Sequence, residues 1–170
     1  YLIYKGEILY YSILTALIFL VLSVSLYSQI KHKKNMTLKS LNIACIGAGV
    51  IGSGWVARLV LNGVNVTVFD KQKDSYKRTK KIIERAAKSY SQLTEAPLRN
   101  HGKLTLTNSL EEAIGDSNYV IESLPENLDI KRDSYKEIQN ISRDIPILSS
   151  TSGFKPSDLQ NKIPSPQNLL

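Results

Sequence analysis

Short apolar runs and longer amphipathic stretches alternate along residues 41–149. Short apolar runs predict buried strands, and apolar positions spaced by 3.6 residues predict helices. Their alternation is typical of an α/β fold with a mostly parallel sheet covered by helices on both faces. The predicted strands are Asn42–Ile46, Asn65–Phe69, Leu104–Thr107, 119–123 and 145–149. The predicted helices are 50–62, 73–93, a short helix opened by a capping box at Ser109 and Glu112, and 126–142. We interpret residues 150–170 as a polar remainder.

The N-terminal part has a different pattern, because residues 8–30 contain no charge and are mostly apolar. A run of that length predicts an appended hydrophobic helix able to span a bilayer. The lysine-rich flank at 31–34 favours a cytoplasmic position for the rest of the chain, anchored or free. The alternative is an upstream translation artefact, since the chain begins at Tyr1 and its only methionine is Met36. We therefore divide the chain into residues 1–35 and a globular domain, 36–170.

Composition further narrows the possible classes of protein and of binding partner. The chain is 42% apolar and 22% charged, which is ordinary for a globular domain. Its net charge of +7 comes without the basic and aromatic pattern of a nucleic-acid reader, so we expect no nucleic-acid partner. The single cysteine, Cys45, excludes an internal disulfide framework and is interpreted as a small buried hydrophobe. No Cys/His cluster has metal-ligand spacing, so no metal is expected.

Three glycines after the first predicted strand form the G-x-G-x-x-G pattern of a dinucleotide-binding loop: Gly47, Gly49 and Gly52. The first glycine makes the tight turn, the second lets a pyrophosphate approach the backbone, and the third lets the helix pack on the strand. Asp70 ends the second predicted strand, where a carboxylate accepts hydrogen bonds from the adenosine ribose and repels a 2′-phosphate. The pattern predicts a Rossmann-type doubly wound sheet that binds NAD rather than NADP. The predicted cofactor-binding residues here are Gly47, Ala48, Gly49, Val50, Ile51, Gly52 and Asp70.

An S-adenosylmethionine-dependent methyltransferase stays open as an alternative. Some of these enzymes also place an acid at the end of the second strand of a Rossmann sheet. Their glycine loop usually lacks the full G-x-G-x-x-G spacing, because they bind no pyrophosphate.

Four stretches of residues 41–170 together resemble the NAD-binding domain of the 3-hydroxyacyl-CoA dehydrogenase family: IGAGVIGSGW, VTVFD, VIESLPENLDIK and ILSSTSG. Within that family, GAGVIGSGWVAR and SSTSG are most similar to the branch of carnitine dehydrogenases. The resemblance implies an NAD-dependent oxidoreductase that converts a small-molecule 3-hydroxy group to a ketone. It also implies an all-helical C-terminal domain, missing from this chain, and a homodimer for the intact protein.

The resemblance also assigns roles to individual residues. Glu126 and Lys131 match residues that line the cofactor site near the nicotinamide ribose. From spacing alone, this pair is interpreted as a charge pair on a solvated helix. Ser152 matches the catalytic serine that hydrogen-bonds the reacting hydroxyl of the substrate; without the resemblance it is a turn serine.

Two departures from the family affect the expected chemistry. Ala86 stands where the family has a serine that contacts coenzyme A. This favours L-carnitine or a related short 3-hydroxy acid, with 3-hydroxyacyl-CoA second. The family's base, a histidine about twenty residues past the serine that takes the hydroxyl proton, falls beyond Leu170. We expect a fragment that binds NAD weakly and is inactive; a membrane-tethered, non-catalytic NAD-binding module is the alternative.

Overall fold

The computed structural model describes residues 41–72, 74–93 and 101–170. These residues form a five-stranded, entirely parallel sheet in the order β3-β2-β1-β4-β5. The strands are β1 (Asn42–Ile46), β2 (Asn65–Phe69), β3 (Leu104–Thr107), β4 (Tyr119–Glu122) and β5 (Ile147–Ser149). The helices are α1 (Val50–Leu61), α2 (Ser75–Leu93), α3 (Leu110–Gly115), α4 (Leu128–Ile141) and α5 (Pro156–Gln160), followed by a 3₁₀ turn at Pro166–Asn168. The predicted Rossmann-type α/β fold is confirmed.

The central strand, β1, is covered on both faces. Ala44 and Ile46 join the core beneath α3 and α4, whereas Cys45 points to the opposite core beneath α1. All three side chains are at most 1% exposed. A continuous apolar run is what a strand buried on both sides requires, because neither face meets water. The interpretation of Cys45 as a buried hydrophobe is confirmed.

The start of α4 differs from the prediction. The predicted helix begins at residue 126, but the structure begins it at Leu128 because Asn127 caps it. The Asn127 side chain accepts hydrogen bonds from the backbone N–H groups of Asp129 and Ile130, at 3.1 and 3.0 Å. Capping requires an extended backbone at Asn127, so Glu126 lies in the loop before the helix.

The capping box at α3 forms in part. Ser109 accepts a hydrogen bond from the backbone N–H of Glu112 at 3.1 Å, as predicted. The Glu112 carboxylate, however, bonds the Thr107 hydroxyl rather than the backbone of Ser109. The backbone N–H of Ser109 donates to that same hydroxyl instead.

The C-terminal segment, residues 150–170, is not only the polar remainder that the sequence indicates. Leu159, Ile163 and Leu169 are buried in the core beneath α3 and α4. Leu169 also pairs with Ile147, and the Leu170 amide donates to the Ile147 carbonyl at 2.8 Å. The segment therefore covers the outer edge of β5.

The predicted hydrophobic helix at 8–30 and its basic flank lie outside the described residues. Within the described ranges, none of the helices combines the length and the apolar character needed to cross a bilayer.

Candidate functional site

The candidate site lies where the strand order reverses. The chain leaves β1 toward β2 on one side and later returns to β4 on the other, so a crevice opens between the loops that follow β1 and β4. A cavity of about 620 Å³ occupies this place, which is within the ordinary size range of small-molecule sites. Its lining includes Gly47, Gly49, Val50, Ile51, Asp70, Arg78, Ser123, Leu124 and Pro125.

The three glycines of the loop have distinct surroundings. Gly47 has a φ of +89°, and a Cβ there would lie 2.7 Å from the carbonyl oxygen of Ser123. A Cβ at Gly52 would lie only 2.0 Å from the carbonyl oxygen of Gly47. At Gly49, by contrast, a Cβ would meet nothing within 4 Å. The first and third glycines are thus required by the protein itself, whereas the second faces open space.

The start of α1 presents unused donors beside that open space. Gly49 is the N-cap residue, and no side chain caps the helix. The first N–H groups of a helix have no partner within the helix, and together with the helix dipole they favour an anion. Val50 and Ile51 are 81% and 60% exposed, so the first turn of the helix is open to a ligand.

Asp70 stands at the end of β2 and closes one side of the cavity. One carboxylate oxygen accepts a hydrogen bond from the backbone N–H of Ala48 at 2.7 Å. The other accepts from the backbone N–H of Gln72, also at 2.7 Å. Ala48 is itself fully buried, so Ala48 and Gly52 support the loop from behind while the other predicted loop residues line the cavity.

Arg78 is a residue of this site that the sequence did not single out. Its guanidinium donates to the Ala48 carbonyl through Nε at 3.2 Å and Nη2 at 3.1 Å. The Ser53 hydroxyl donates to the same carbonyl at 2.9 Å and lies 3.2 Å from the Thr79 hydroxyl. The other described basic residues of α2 are exposed, as expected for a solvated face. No local pattern separates Arg78 from its lysine neighbours, because its partner is thirty residues away.

Glu126, Lys131 and the Ser152 loop are brought together at the carboxyl ends of β4 and β5. The Glu126 carboxylate accepts a hydrogen bond from the backbone N–H of Gly153 at 2.7 Å and lies 3.5 Å from the Lys131 ammonium. The Gly153 hydrogen bond, with the charge of Lys131, lowers the pKa of Glu126. The side chain of Ser152 is exposed next to this contact. Glu126, Lys131 and Ser152 are not among the residues that line the cavity.

Lys131 is not part of a solvated charge pair, because it is only 1% exposed. Its ammonium donates to Glu122 Oε1 at 2.8 Å and to the Leu124 carbonyl at 3.1 Å. Glu122, which is fully buried, was missed by the sequence reasoning. The available signal is that Glu122 is the one charged residue of β4, directly at the end of its apolar run.

The residues present suit a dinucleotide. The uncapped helix start provides donors for a pyrophosphate, and the missing Cβ at Gly49 leaves room for its approach. The Asp70 carboxylate at the rim of the cavity provides acceptors for ribose hydroxyls.

Comparisons with known proteins agree with this geometry. Residues 42–170 match the family described as 3-hydroxyacyl-CoA dehydrogenase, NAD binding domain. The chain is 42% identical over 128 residues to the L-carnitine dehydrogenase/betainyl-CoA thioesterase of Rhizobium sp, covering 75% of this chain and 26% of that protein. It is 41% identical over 118 residues to the L-carnitine dehydrogenase of Mesorhizobium japonicum, covering 69% and 32%.

A solved structure of a related enzyme shares the fold. The chain superposes with a TM-score of 0.67 and 32% identity on 5-formyl-3-hydroxy-2-methylpyridine 4-carboxylic acid 5-dehydrogenase, an NAD+-dependent dismutase. This match covers 75% of the chain and 42% of the other protein. The chain thus spans about a quarter to two fifths of the length of these relatives. It belongs to the family of NAD-binding domains of 3-hydroxyacyl-CoA dehydrogenases, and its cofactor is NAD.

Proposed function

We propose that this chain is the NAD-binding domain of a dehydrogenase that oxidises the 3-hydroxy group of L-carnitine or a related short 3-hydroxy acid to a ketone. The observation that carries the proposal is the contact between Glu126 and Gly153, which joins the loop after β4 to the loop that carries the exposed Ser152. The relatives at 41–42% identity, which are named L-carnitine dehydrogenases, support the substrate.

Each residue has a defined part in this proposal. The N–H groups at the start of α1 hold the pyrophosphate, and Asp70 accepts the adenosine ribose hydroxyls. Glu126 contacts the nicotinamide ribose, as in the family, and the buried Lys131 holds Glu126 in place. Ser152 hydrogen-bonds the hydroxyl of the substrate and orients it. When bound, NAD supplies the hydride acceptor.

The general base of the reaction is not among these residues. His101, the histidine within the described ranges, is exposed just before β3 and does not line the cavity. The lowered pKa of Glu126 also makes it a poor proton acceptor at neutral pH. We therefore propose that the 170-residue chain binds NAD without turning over substrate.

A 3-hydroxyacyl-CoA is the second candidate substrate. The basic residues of α2 offer partners for CoA phosphates, since most of them are exposed. Ala86, however, has no hydroxyl to donate and is half-buried. This favours the smaller hydroxy acid.

Titration of the purified 170-residue chain tests cofactor binding. Trp55 lies one turn beyond Ile51 on α1 and is 43% exposed, so its fluorescence should report ligands at the helix start. We expect a saturable response to NADH and a weaker one to NADPH. A response to S-adenosylmethionine at lower concentration than to NADH would overturn the proposal in favour of a methyltransferase.

Ligand-observed NMR tests the substrate class. With the chain saturated by NADH, we expect saturation transfer to L-carnitine and its reduction in Ser152→Ala. 3-Hydroxybutyryl-CoA should compete more weakly. Transfer to the CoA thioester alone, unaffected by excess L-carnitine, would contradict the assignment.

The division of the chain into 1–35 and 36–170 is also a proposal. Membrane fractionation of cells that express the whole chain distinguishes a membrane anchor at residues 8–30 from translation that starts at Met36. A chain anchored through residues 8–30 pellets with membranes and is released by detergent. A chain translated from Met36 stays in the supernatant.

A further inference from the structure

A fully buried carboxylate joins three elements behind the proposed substrate loop. Glu122 Oε1 accepts hydrogen bonds from the Lys131 ammonium at 2.8 Å and from the Leu124 backbone N–H at 2.6 Å. Glu122 Oε2 accepts from the Tyr135 hydroxyl at 2.5 Å and from the Ser149 hydroxyl at 2.8 Å. Every oxygen of the carboxylate is therefore satisfied by donors from the β4 loop, α4 and β5.

The register of the sheet brings these groups together. Glu122 and Ser149 are register partners in the parallel pair β4 and β5, so their side chains point to the same face. Tyr135 reaches that face from α4, and burial together with the hydrogen bond to Glu122 raises its pKa. The phenol thus stays protonated and serves as a permanent donor.

Two series of contacts connect Glu122 with the loop that carries Ser152. Along β5, the Ser149 hydroxyl accepts from the Thr151 backbone N–H at 3.3 Å, one residue before Ser152. Along α4, Lys131 lies 3.5 Å from Glu126, which accepts from the Gly153 backbone N–H, one residue after Ser152. The backbone N–H groups of the residues before and after Ser152 are therefore both held, one by Ser149, which bonds Glu122, and the other by Glu126, which pairs with Lys131.

Charge and burial explain why a carboxylate is needed here. Lys131 is 1% exposed, and an ammonium removed from water is stable only when paired and hydrogen-bonded. Removing the negative charge would leave Lys131 with its one remaining carboxylate, Glu126, which is half-exposed. Lys131 would then be drawn toward Glu126 and would disturb the contact with Gly153.

We infer that Glu122 is a positioning residue, which sets the geometry of the Ser152 loop through Ser149 and through Lys131 with Glu126. This inference rests on the proposed function for the roles of Ser152 and Glu126. Glu122 itself contacts neither the cavity nor the exposed face of the loop, so its effect is transmitted by its hydrogen-bond partners.

The test compares Glu122→Gln and Ser149→Ala with Ser117→Ala in the 170-residue chain. Ser117 is a matched control, because it is also half-buried and makes one hydrogen bond, to the Ala113 carbonyl at 2.7 Å, far from the loop. We expect the amide resonances of Thr151 and Gly153 to move in both test variants and to stay in place in the control. NADH binding should weaken by about three- to tenfold with that movement, the effect of one lost hydrogen bond.

Ser149→Ala decides the matter if Glu122→Gln does not fold. A folded Ser149→Ala chain whose Thr151 and Gly153 amides do not move would overturn the inference. The amide measurement needs no ligand, so it tests the inference even when the wild-type chain does not bind NADH. Failure to bind NADH would count against the proposed function alone. Displaced amides with unchanged NADH affinity would remove Glu126 from the proposed cofactor site.

Discussion

At the scale of single residues, the glycine loop shows that identical residues can be required for different reasons. Gly52 is required by packing, because a side chain there would collide with the Gly47 carbonyl. Gly49 has no such neighbour and an ordinary φ of −65°. Its lack of a side chain therefore serves a ligand rather than the fold.

The two glycines should respond differently to alanine. Gly49→Ala should lower the free energy of unfolding by no more than about 1 kcal/mol, since an N-cap position prefers glycine to alanine but the new methyl group meets no neighbour. It should weaken NADH binding about tenfold or more, since the new methyl group occupies the phosphate approach. Gly52→Ala should instead cost about 1–3 kcal/mol or more through overpacking. Urea denaturation and NADH titration measure both; equal affinity losses at equal stability would contradict the distinction.

Glu126 gives the site a pH dependence of known sign. Its folded-state pKa is lowered, so the contribution of the ionised carboxylate is present above the ordinary glutamate pKa of about 4.3. That contribution is lost as the pH falls through the lower, folded-state value. At pH 7, Glu126→Gln should therefore have a lower Tm than wild type, and the difference should close below about pH 4. A Tm difference that stays constant from pH 7 to pH 3 would argue against an ionised clamp on Gly153.

At the scale of elements, the strands were predicted better than the contacts between them. β1, β2 and β3 begin and end at the predicted residues, because each is a short run of continuous or alternating apolar residues bounded by polar or turn residues. The bonds from Arg78 to Ala48 and from Glu122 to Tyr135 join residues that no periodicity connects. The start of α4 differs from the prediction for a local reason, since Asn127 caps the helix and leaves Glu126 outside it.

The helix α2 should contribute to cofactor affinity through Arg78. Replacing Arg78 by Met keeps most of the side-chain volume and removes the donors to the Ala48 carbonyl. We expect NADH affinity to fall about three- to tenfold, because the loop loses one of its supports. Lys81→Met, on the exposed face of the same helix, is the matched control and should change little. A similar loss in both variants would indicate a general effect of charge.

At the scale of the whole molecule, the last fifteen residues contribute to the core and to the edge of the sheet. A parallel sheet whose last strand is only three residues long leaves unpaired backbone groups at its edge. Leu169 and Leu170 supply partners to Ile147 and Ser149 there. The prolines at 156, 164 and 166 suggested an irregular segment, and composition alone did not indicate that its few apolar residues share one core.

Two adjacent leucines test this role of the segment. Leu169 is 4% exposed and Leu170 is 72% exposed. Leu169→Ala should lower the free energy of unfolding by about 2–5 kcal/mol, the usual cost of truncating a buried leucine. Leu170→Ala should stay within about 0.5 kcal/mol of wild type. Urea denaturation of both variants measures the difference, and equal midpoints would show that the segment does not contribute to the core.

The chain's only thiol lies directly beneath the glycine loop, with the Cys45 sulfur 3.6 Å from the Gly47 carbonyl oxygen. Burial raises the pKa of Cys45 to about 12, so an alkylating or disulfide reagent meets neither a thiolate nor an accessible sulfur in the closed protein. Labelling requires β1 to leave the sheet, so the rate of labelling measures how often that opening occurs. Any molecule that binds the loop lowers the labelling rate in proportion to its occupancy, so binding can be measured even when the ligand neither absorbs nor fluoresces.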